Sequence, residues 1–325
     1  MIHIALPTMT TRKLSFYLAM EEYVARHANT DEDCFFLWQV PPTVIFGRNQ
    51  LIENEVNMSY CKEHGIETFR RKSGGGCVYA DLGNVMLSYI TRDENVNLTF
   101  NRYINNIVLA LYKLGIDAKA SGRNDVLIDG KKVSGNAFYH IPGHSIVHGT
   151  MLYDTNMQHM VGSITPSDAK LISKGVESVR QHIALLKDYT HLSLDDLKAH
   201  ILTLLCDEEM KLNEKDIHHI EEIEQEYLNP EFIYGNNPRY SLVRRHRIEG
   251  VGDFEIRLEL KNGIIKQVNM MGDFFVTGDI DNQLLRPLHN VPFNEKSVRE
   301  ALPARIDDLI LHLDTNDFIN MIFKE

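Results

Sequence analysis

Apolar positions along the first half of the chain change period repeatedly, and each change marks a new element. In residues 13–27 (KLSFYLAMEEYVARH), Leu14, Tyr17, Leu18 and Met20 or Glu21 recur at helical spacing, which predicts an amphipathic first helix. CFFLWQV and TVIFG, separated by Pro41-Pro42, are apolar and aromatic runs that predict two short strands. VNMSYCKEHG returns to a helical pattern and ends at Gly65, the residue type that closes helices in the left-handed conformation; IETFRR then reads as another strand. Residues 77–90 (CVYADLGNVMLSYI) predict two strands joined at Asp81-Leu82-Gly83-Asn84. Residues 99–114 (TFNRYINNIVLALYKL) form the clearest helix, with Thr99 as N-cap and Gly115 as terminator. NDVLI, KVSGNAFYH and SIVHGTMLY are linked by Asp129-Gly130 and Pro142-Gly143, which predicts an antiparallel meander. The expected class is α+β with a mixed sheet, not a doubly wound one.

In the second half, two helical patterns between Leu194 and Glu226 carry much of the acidic excess, including EEIEQE, which reads as a solvated helix face. NPEFIYGNNPRY concentrates Asn, Pro and Gly and marks the expected boundary, giving domains 1–237 and 238–325. Beyond it, SLVRRHRI, DFEIRLEL and GIIKQVNMMG predict three strands followed by helices, a second, small α+β unit.

Composition narrows the function. The 325 residues are 43% hydrophobic and 24% charged, ordinary for globular chains. A formal charge of -11 argues against a whole-protein footprint for nucleic acid and towards a small substrate or a protein partner. Residues 1–15 lack a cationic segment followed by an apolar run, and no stretch reaches the ~18 apolar residues of a membrane span, so cytoplasm is the expected address and no membrane contact is expected. Cys34, Cys61, Cys77 and Cys206 are scattered without a C-x-x-C pair, which supports neither a disulfide framework nor structural zinc.

Four segments carry possible chemistry. Arg70-Arg71-Lys72-Ser73-Gly74-Gly75-Gly76 lies between two strands; three glycines beside a basic cluster suit an anion, and a structural turn accounts for the spacing equally well. The loop matches neither the phosphate-loop spacing of nucleotide hydrolases nor a dinucleotide fingerprint. Gly122-Arg123-Asn124-Asp125 sets an amide beside a carboxylate, able to orient a substrate or hold Mg²⁺. Lys131 and Lys132 open a strand just after a tight turn and point to opposite faces, so one can enter a cleft while the other stays in solvent. His148-Gly149-Thr150 lies on the next strand. His140, His144 and His148 are four apart, but Pro142-Gly143 forbids the helix that would bring them to one metal.

Taken in order, RRKSGGGCVYADLGN, GRNDVLIDGKKVSGNAFY and HGTMLYD resemble the signature of lipoate-protein ligases; LAMEEY, PPTVIFGRNQ and KGVESVR also resemble that family's N-terminal domain, and YGNNPRY with the unit after it resembles the linker and accessory domain of the larger bacterial ligases. The resemblance implies a mixed or antiparallel-sheet catalytic domain of the biotin/lipoyl protein ligase type plus a small C-terminal accessory domain. It implies ATP and Mg²⁺ as cofactors and lipoate, or octanoate, as the acid activated to an acyl-adenylate. The acyl group then passes to a lysine on lipoyl domains, those of 2-oxoacid dehydrogenase E2 subunits and the glycine cleavage H protein, with the enzyme acting as a monomer.

By position, the resemblance places ATP on Arg71, the backbone of Gly76, Cys77, Val78 and Tyr79, and near Asn124 and Asp125, with Asp125 a possible Mg²⁺ ligand. It places the lipoyl group against Ser73, Gly74, Gly75 and Gly149, and makes Lys132 the catalytic residue in contact with both the activated carbonyl and the adenylate phosphate. Lys131 falls at a variable position. Three residues depart from the pattern: Ala80 replaces a usual histidine, Cys77 an alanine, and Leu51 an asparagine. Two other readings compete: a cysteine-dependent, ATP-independent octanoyl or lipoyl transferase, and a non-catalytic ligand-binding homologue. No cysteine lies between Cys77 and Cys206, where the transferases carry their nucleophile, which favours the ligase.

Overall fold

The computed structural model describes all residues except 9, 29, 51, 93–94, 123, 165–180, 235–241, 262 and 325. Leu51, Arg123, KGVESVR at 174–180 and most of YGNNPRY therefore fall outside the described residues. The chain forms two compact units: Met1–Phe46, Ile52–Arg71 and Cys77–Ile233 make the first, and Gly47–Leu51, Lys72–Gly76 and Tyr234–Glu325 the second.

The first unit is built on β1 (Ile2–Ala5), β2 (Cys34–Trp38), β3 (Thr43–Phe46), β4 (Glu67–Arg70), β5 (Val78–Ala80), β6 (Asn84–Thr91), β7 (Ala118–Ala120), β8 (Asp125–Ile128), β9 (Lys131–Ile141), β10 (His144–Leu152) and β11 (Glu208–Lys211). Eight of them form one sheet in the order β11-β1-β2-β6-β10-β9-β8-β7. β1 runs parallel to both β11 and β2, and the other pairs are antiparallel, so the sheet is mixed as expected. A smaller sheet, β4-β3-β5, carries the basic glycine-rich segment between β4 and β5.

Helix α1 (Leu14–His27) is buried at every position from Leu14 to Ala25. It lies between the large sheet and helix Glu214–Leu228; one core unites Leu14, Leu18 and Val24 with Phe36, Trp38, Ile90 and Ile146 on one side and Ile217, Ile220 and Tyr227 on the other. Burial of this kind contributes about 1.5–3 kcal/mol per large apolar side chain. The acidic helix is not wholly solvated: Glu221 pairs with Arg12 at 3.1 Å, and Glu224 accepts the Ser15 hydroxyl at 2.5 Å.

Helices α2 (Ile52–Glu55), α3 (Met58–Glu63) and α5 (Met157–Ile164) pack with the small sheet around Val44, Phe46, Cys61, Tyr79 and Met160. Helix α4 (Val96–Lys113) starts a turn earlier than expected, because the Asn95 side chain, not Thr99, caps it by accepting the Leu98 N–H at 3.1 Å. The two strands predicted within 77–90 exist but do not pair; β5 joins the small sheet and β6 the large one. Their link is pinned at Gly83, where a Cβ would sit 2.0 Å from the Asp154 carbonyl oxygen.

In the second unit, β12 (Leu242–Ile248), β13 (Gly252–Lys261) and β14 (Ile264–Asp273) form an antiparallel sheet, as their alternation predicts. One face packs on helices Glu295–Ala301 and Thr315–Phe323 around Phe254, Leu258, Phe274, Leu309 and Phe318. Gly47–Leu51 and Lys72–Gly76 group with this unit through specific bonds: Gly75 N–H to Phe274 O at 3.0 Å, Gly272 N–H to Asn49 O at 2.9 Å, and Arg48 with Asp281 at 2.5 Å.

Candidate active site

Asp129 and Gly130, at φ 52° and 75°, make the tight turn that delivers Lys131 and Lys132 to the start of β9. Pairing across β8 and β9 is irregular there. Leu127 faces Lys132 and Val126 faces Ser134, so Val133 is an extra residue on β9. Bulges of this type re-aim neighbouring side chains. The Lys132 ammonium, 42% exposed, lies 2.8 Å from Asp125 Oδ1. It passes over Gly135, where a Cβ would sit 2.7 Å from Lys132 Nζ, and this explains the glycine two residues after the bulge. On the other side, Ala184 N–H donates to the Lys132 carbonyl at 2.8 Å and tethers its backbone.

Asn124 and Asp125 are held against the same strand. The Asn124 side-chain amide donates to Asn136 O at 3.1 Å, and Asn136 in turn donates its side-chain amide to Asn124 O at 2.9 Å. Gly149, on β10, faces Asn136 across the ladder. Lys132, Asn124, Asp125 and Gly149 thus belong to one β8–β9–β10 patch.

Arg71 is buried at the end of β4, where its Nη1 donates to Ile45 O at 3.1 Å. Its neighbour Arg70 donates to Ile233 O at 2.9 Å and stacks over Phe46 at 4.6 Å, so it has a packing role. Cys77, Val78 and Tyr79 lead into and along β5, where Val78 pairs with Ile45 and Tyr79 with Val44. Burial pushes the Cys77 thiol up to about 12 despite the opposing charge of Arg71, so its sulfur is a poor nucleophile. Ser73, Gly74, Gly75 and Gly76 group with the second unit. There a Cβ on Gly74 would lie 2.3 Å from Phe274 O and one on Gly76 2.9 Å from Asp273 Oδ2.

The histidines at 140, 144 and 148 do not converge. His140 Nδ1 lies 3.0 Å from Ser145 Oγ, while His148 Nδ1 lies 2.9 Å from Glu21 Oε2. Among the described residues, no three His, Cys, Asp or Glu side chains are grouped to hold a metal.

Two polar sets escaped the sequence reading of roles. Glu21, fully buried on α1, accepts the Ser88 hydroxyl at 2.5 Å and faces His148, while Trp38 Nε1 donates to Ser88 Oγ at 2.8 Å. The signal was its place on the apolar stripe of the first helix, since a carboxylate there must find buried partners. The other set is Tyr103, Asn136 and Ser134; a polar residue within an otherwise apolar strand gives the same kind of signal, without naming its partner.

The family model of the lipoyl protein ligase A/B catalytic domain matches residues 13–205, and that of the bacterial lipoate protein ligase C-terminus matches 237–322. The chain belongs to the lipoate-protein ligase family. This ligase is 32% identical over 322 residues to a lipoate-protein ligase of Bacillus subtilis, covering 94% of this chain and 96% of the relative. Among solved structures it is similar to the lipoate complex of a Plasmodium falciparum protein, with TM-score 0.78 and 20% identity over 98% of this chain and 97% of that one. It is also similar to a chain from a structural study of a bipartite lipoate protein ligase and its E2 lipoyl domain from Thermoplasma acidophilum, with TM-score 0.66 and 27% identity over 74% of this chain and 100% of that one. The ligase is an enzyme of the lipoate-protein ligase class. Among its described residues no helix is long and apolar enough to cross a membrane.

Proposed function

We propose that the ligase carries out both half-reactions at the β8–β9–β10 patch, with Lys132 as the catalytic residue. In the first, the lipoate carboxylate attacks the α-phosphorus of ATP and pyrophosphate leaves. In the second, the acceptor lysine amine attacks the carbonyl of the mixed anhydride, loses a proton, and AMP leaves. Both transition states place negative charge on phosphoryl or carbonyl oxygen, which a fixed ammonium stabilises. The observation that carries the reading is the half-exposed Lys132 ammonium, set on a bulged strand, cleared by Gly135 and held at 2.8 Å by Asp125.

The remaining roles follow the motif. Arg71 and the backbone of Cys77, Val78 and Tyr79 hold the nucleotide, with Asn124 and Asp125 near its phosphates; Gly149 borders the acyl chain. The roles of Ser73, Gly74 and Gly75 towards the acyl group, and of Gly76 towards ATP, are proposed on the motif alone. Mg²⁺ ordinarily takes one or two carboxylates together with phosphates and waters. A single partly exposed carboxylate, Asp125 at 26%, fits that donor set. When bound, the ion neutralises phosphate charge; Asp125 would hold it.

Acceptors are the lipoyl domains of 2-oxoacid dehydrogenase E2 subunits and the glycine cleavage H protein, in keeping with the E2 lipoyl domain described beside the archaeal relative. We place the enzyme in the cytoplasm as a monomer, with residues 238–325 as its accessory domain. The test is pyrophosphate release from Mg-ATP and lipoate, compared with octanoate and biotin, with and without an apo lipoyl domain. Lipoate-dependent release with a mass shift on the acceptor lysine is expected. Acceptor modification only from an acylated donor protein, without ATP, would transfer the enzyme to the transferases.

A further inference from the structure

Behind Lys132, the polar contacts extend past the groups that meet substrate. Asn136 on β9 is 4% exposed, and its side chain is engaged on every side. Its Oδ1 accepts the Tyr103 hydroxyl at 2.9 Å and the Ser134 hydroxyl at 3.3 Å. Its Nδ2 donates to Asn124 O at 2.9 Å, and its backbone N–H donates to the same oxygen at 3.1 Å. With the return bond from Asn124 Nδ2 to Asn136 O, three hydrogen bonds latch residue 124 onto β9. The next residue is Asp125, whose carboxylate holds the Lys132 ammonium.

The orientation of the Asn136 amide decides whether the latch closes, because a flipped amide would set Oδ1 against the Asn124 carbonyl oxygen. Tyr103 decides that orientation. Its hydroxyl comes from α4, is buried, and points at Oδ1 across the site of the missing side chain at Gly149. A Cβ at residue 149 would lie 1.9 Å from Asn136 Oδ1 and 2.9 Å from the Tyr103 oxygen, so glycine there makes room for the pair. Burial raises the Tyr103 phenol well above its ordinary range, so it remains protonated and a donor at any working pH.

We propose that Tyr103 is a positioning residue for the ligase reaction: it orients Asn136, which sets the Asn124-Asp125 turn and thereby the place of the Lys132 ammonium. This inference rests on the assignment of Lys132. The phenol is buried and its hydroxyl donates to Asn136, so its loss is expected to affect turnover more than binding. It also acts through Asp125, so the two losses do not add.

The experiment is steady-state kinetics of lipoate-dependent pyrophosphate release by the full chain, with Tyr103→Phe, Asp125→Asn and the double variant, alongside Lys132→Ala. Tyr103→Phe is expected to lower kcat by ten- to a hundredfold with the KM of lipoate and of ATP each within about threefold, and to add less than threefold in the Asp125→Asn background. Asn136→Asp, which still accepts the Tyr103 hydroxyl but no longer donates to Asn124 O, is expected to reproduce the kcat loss and serves if Tyr103→Phe folds poorly. Wild-type kcat in Tyr103→Phe, a loss confined to KM, or multiplicative losses in the double variant would each overturn the proposal. Retained turnover in Lys132→Ala would instead overturn the catalytic assignment beneath it.

Discussion

Lys132 meets its carboxylate partner over a glycine, and its ammonium remains open enough to reach an incoming anion. At ~4 Å and an effective dielectric near 20, one such charge contributes up to about 4 kcal/mol to a transition state, roughly a thousandfold in rate. Lys132→Ala is therefore expected to lose activity by about that factor while its far-ultraviolet circular dichroism and melting stay near wild type; unchanged turnover would contradict the role. The cysteines make a second prediction. Burial raises the thiols of Cys34, Cys61 and Cys206 to about 11 and that of Cys77 to about 12. At pH 8, iodoacetamide labelling of the native chain, followed by mass spectrometry, should be slower than in the denatured chain by on the order of a hundredfold, because the thiolate fraction falls with each pKa unit. A native thiol that labels rapidly at pH 8 would reopen the cysteine-dependent transferase. The proposal for Lys132 came from the motif that surrounds it. Tyr103 was not legible in sequence, because nothing within the helix that carries it tells which strand its hydroxyl will meet.

Among the elements, β9 carries a local irregularity beside the proposed catalytic residue: the extra residue at Val133 breaks simple alternation next to Lys132. Strands with strong alternation, β12 to β14, were legible in full, and so was the β8–β9–β10 meander with its Asp-Gly and Pro-Gly turns. The short strand β11, Glu-Glu-Met-Lys, carries no apolar run, and its backbone becomes a strand only by adding to the edge of β1. The start of α4 was misplaced because Asn95 and Thr99 are both good caps, and it is the Asn95 side chain that accepts the Leu98 N–H at the helix start. On β13, burial pushes the Glu255 carboxyl up, but bonds from Arg245 and Arg257, each at 2.5 Å, outweigh it and hold the group below its ordinary range. A depressed carboxyl stabilises the folded state above the ordinary carboxylate range, and the contribution is lost as pH falls through the lowered value. Urea denaturation of Glu255→Gln should thus show a deficit against wild type at pH 7 that shrinks towards pH 3. An equal deficit at both would remove the ion pairs from the account.

For the whole molecule, the net charge of -11 would oppose long-range encounter with the proposed acceptor domains if they too are acidic. Raising ionic strength from about 10 mM to about 150 mM shortens the Debye length to roughly 8 Å and should raise kcat/KM for an apo lipoyl domain by a few-fold while leaving lipoate-dependent pyrophosphate release unchanged. A fall would show that local basic groups, such as Arg245 and Arg247, govern the encounter. Those two arginines are already paired, with Glu255 and Asp253. At this scale, the amino-acid sequence alone determined the α+β class and the family, because periodicity, turn residues and ordered motifs are all local in the chain. Tertiary structure alone decided that β5 and β6 separate into two sheets, that Gly47–Leu51 and Lys72–Gly76 group with the second unit, and that Glu21 and Asn136 find buried partners. Such outcomes depend on hydrogen bonds between residues distant in sequence, whose partners exist only once the sheets have formed.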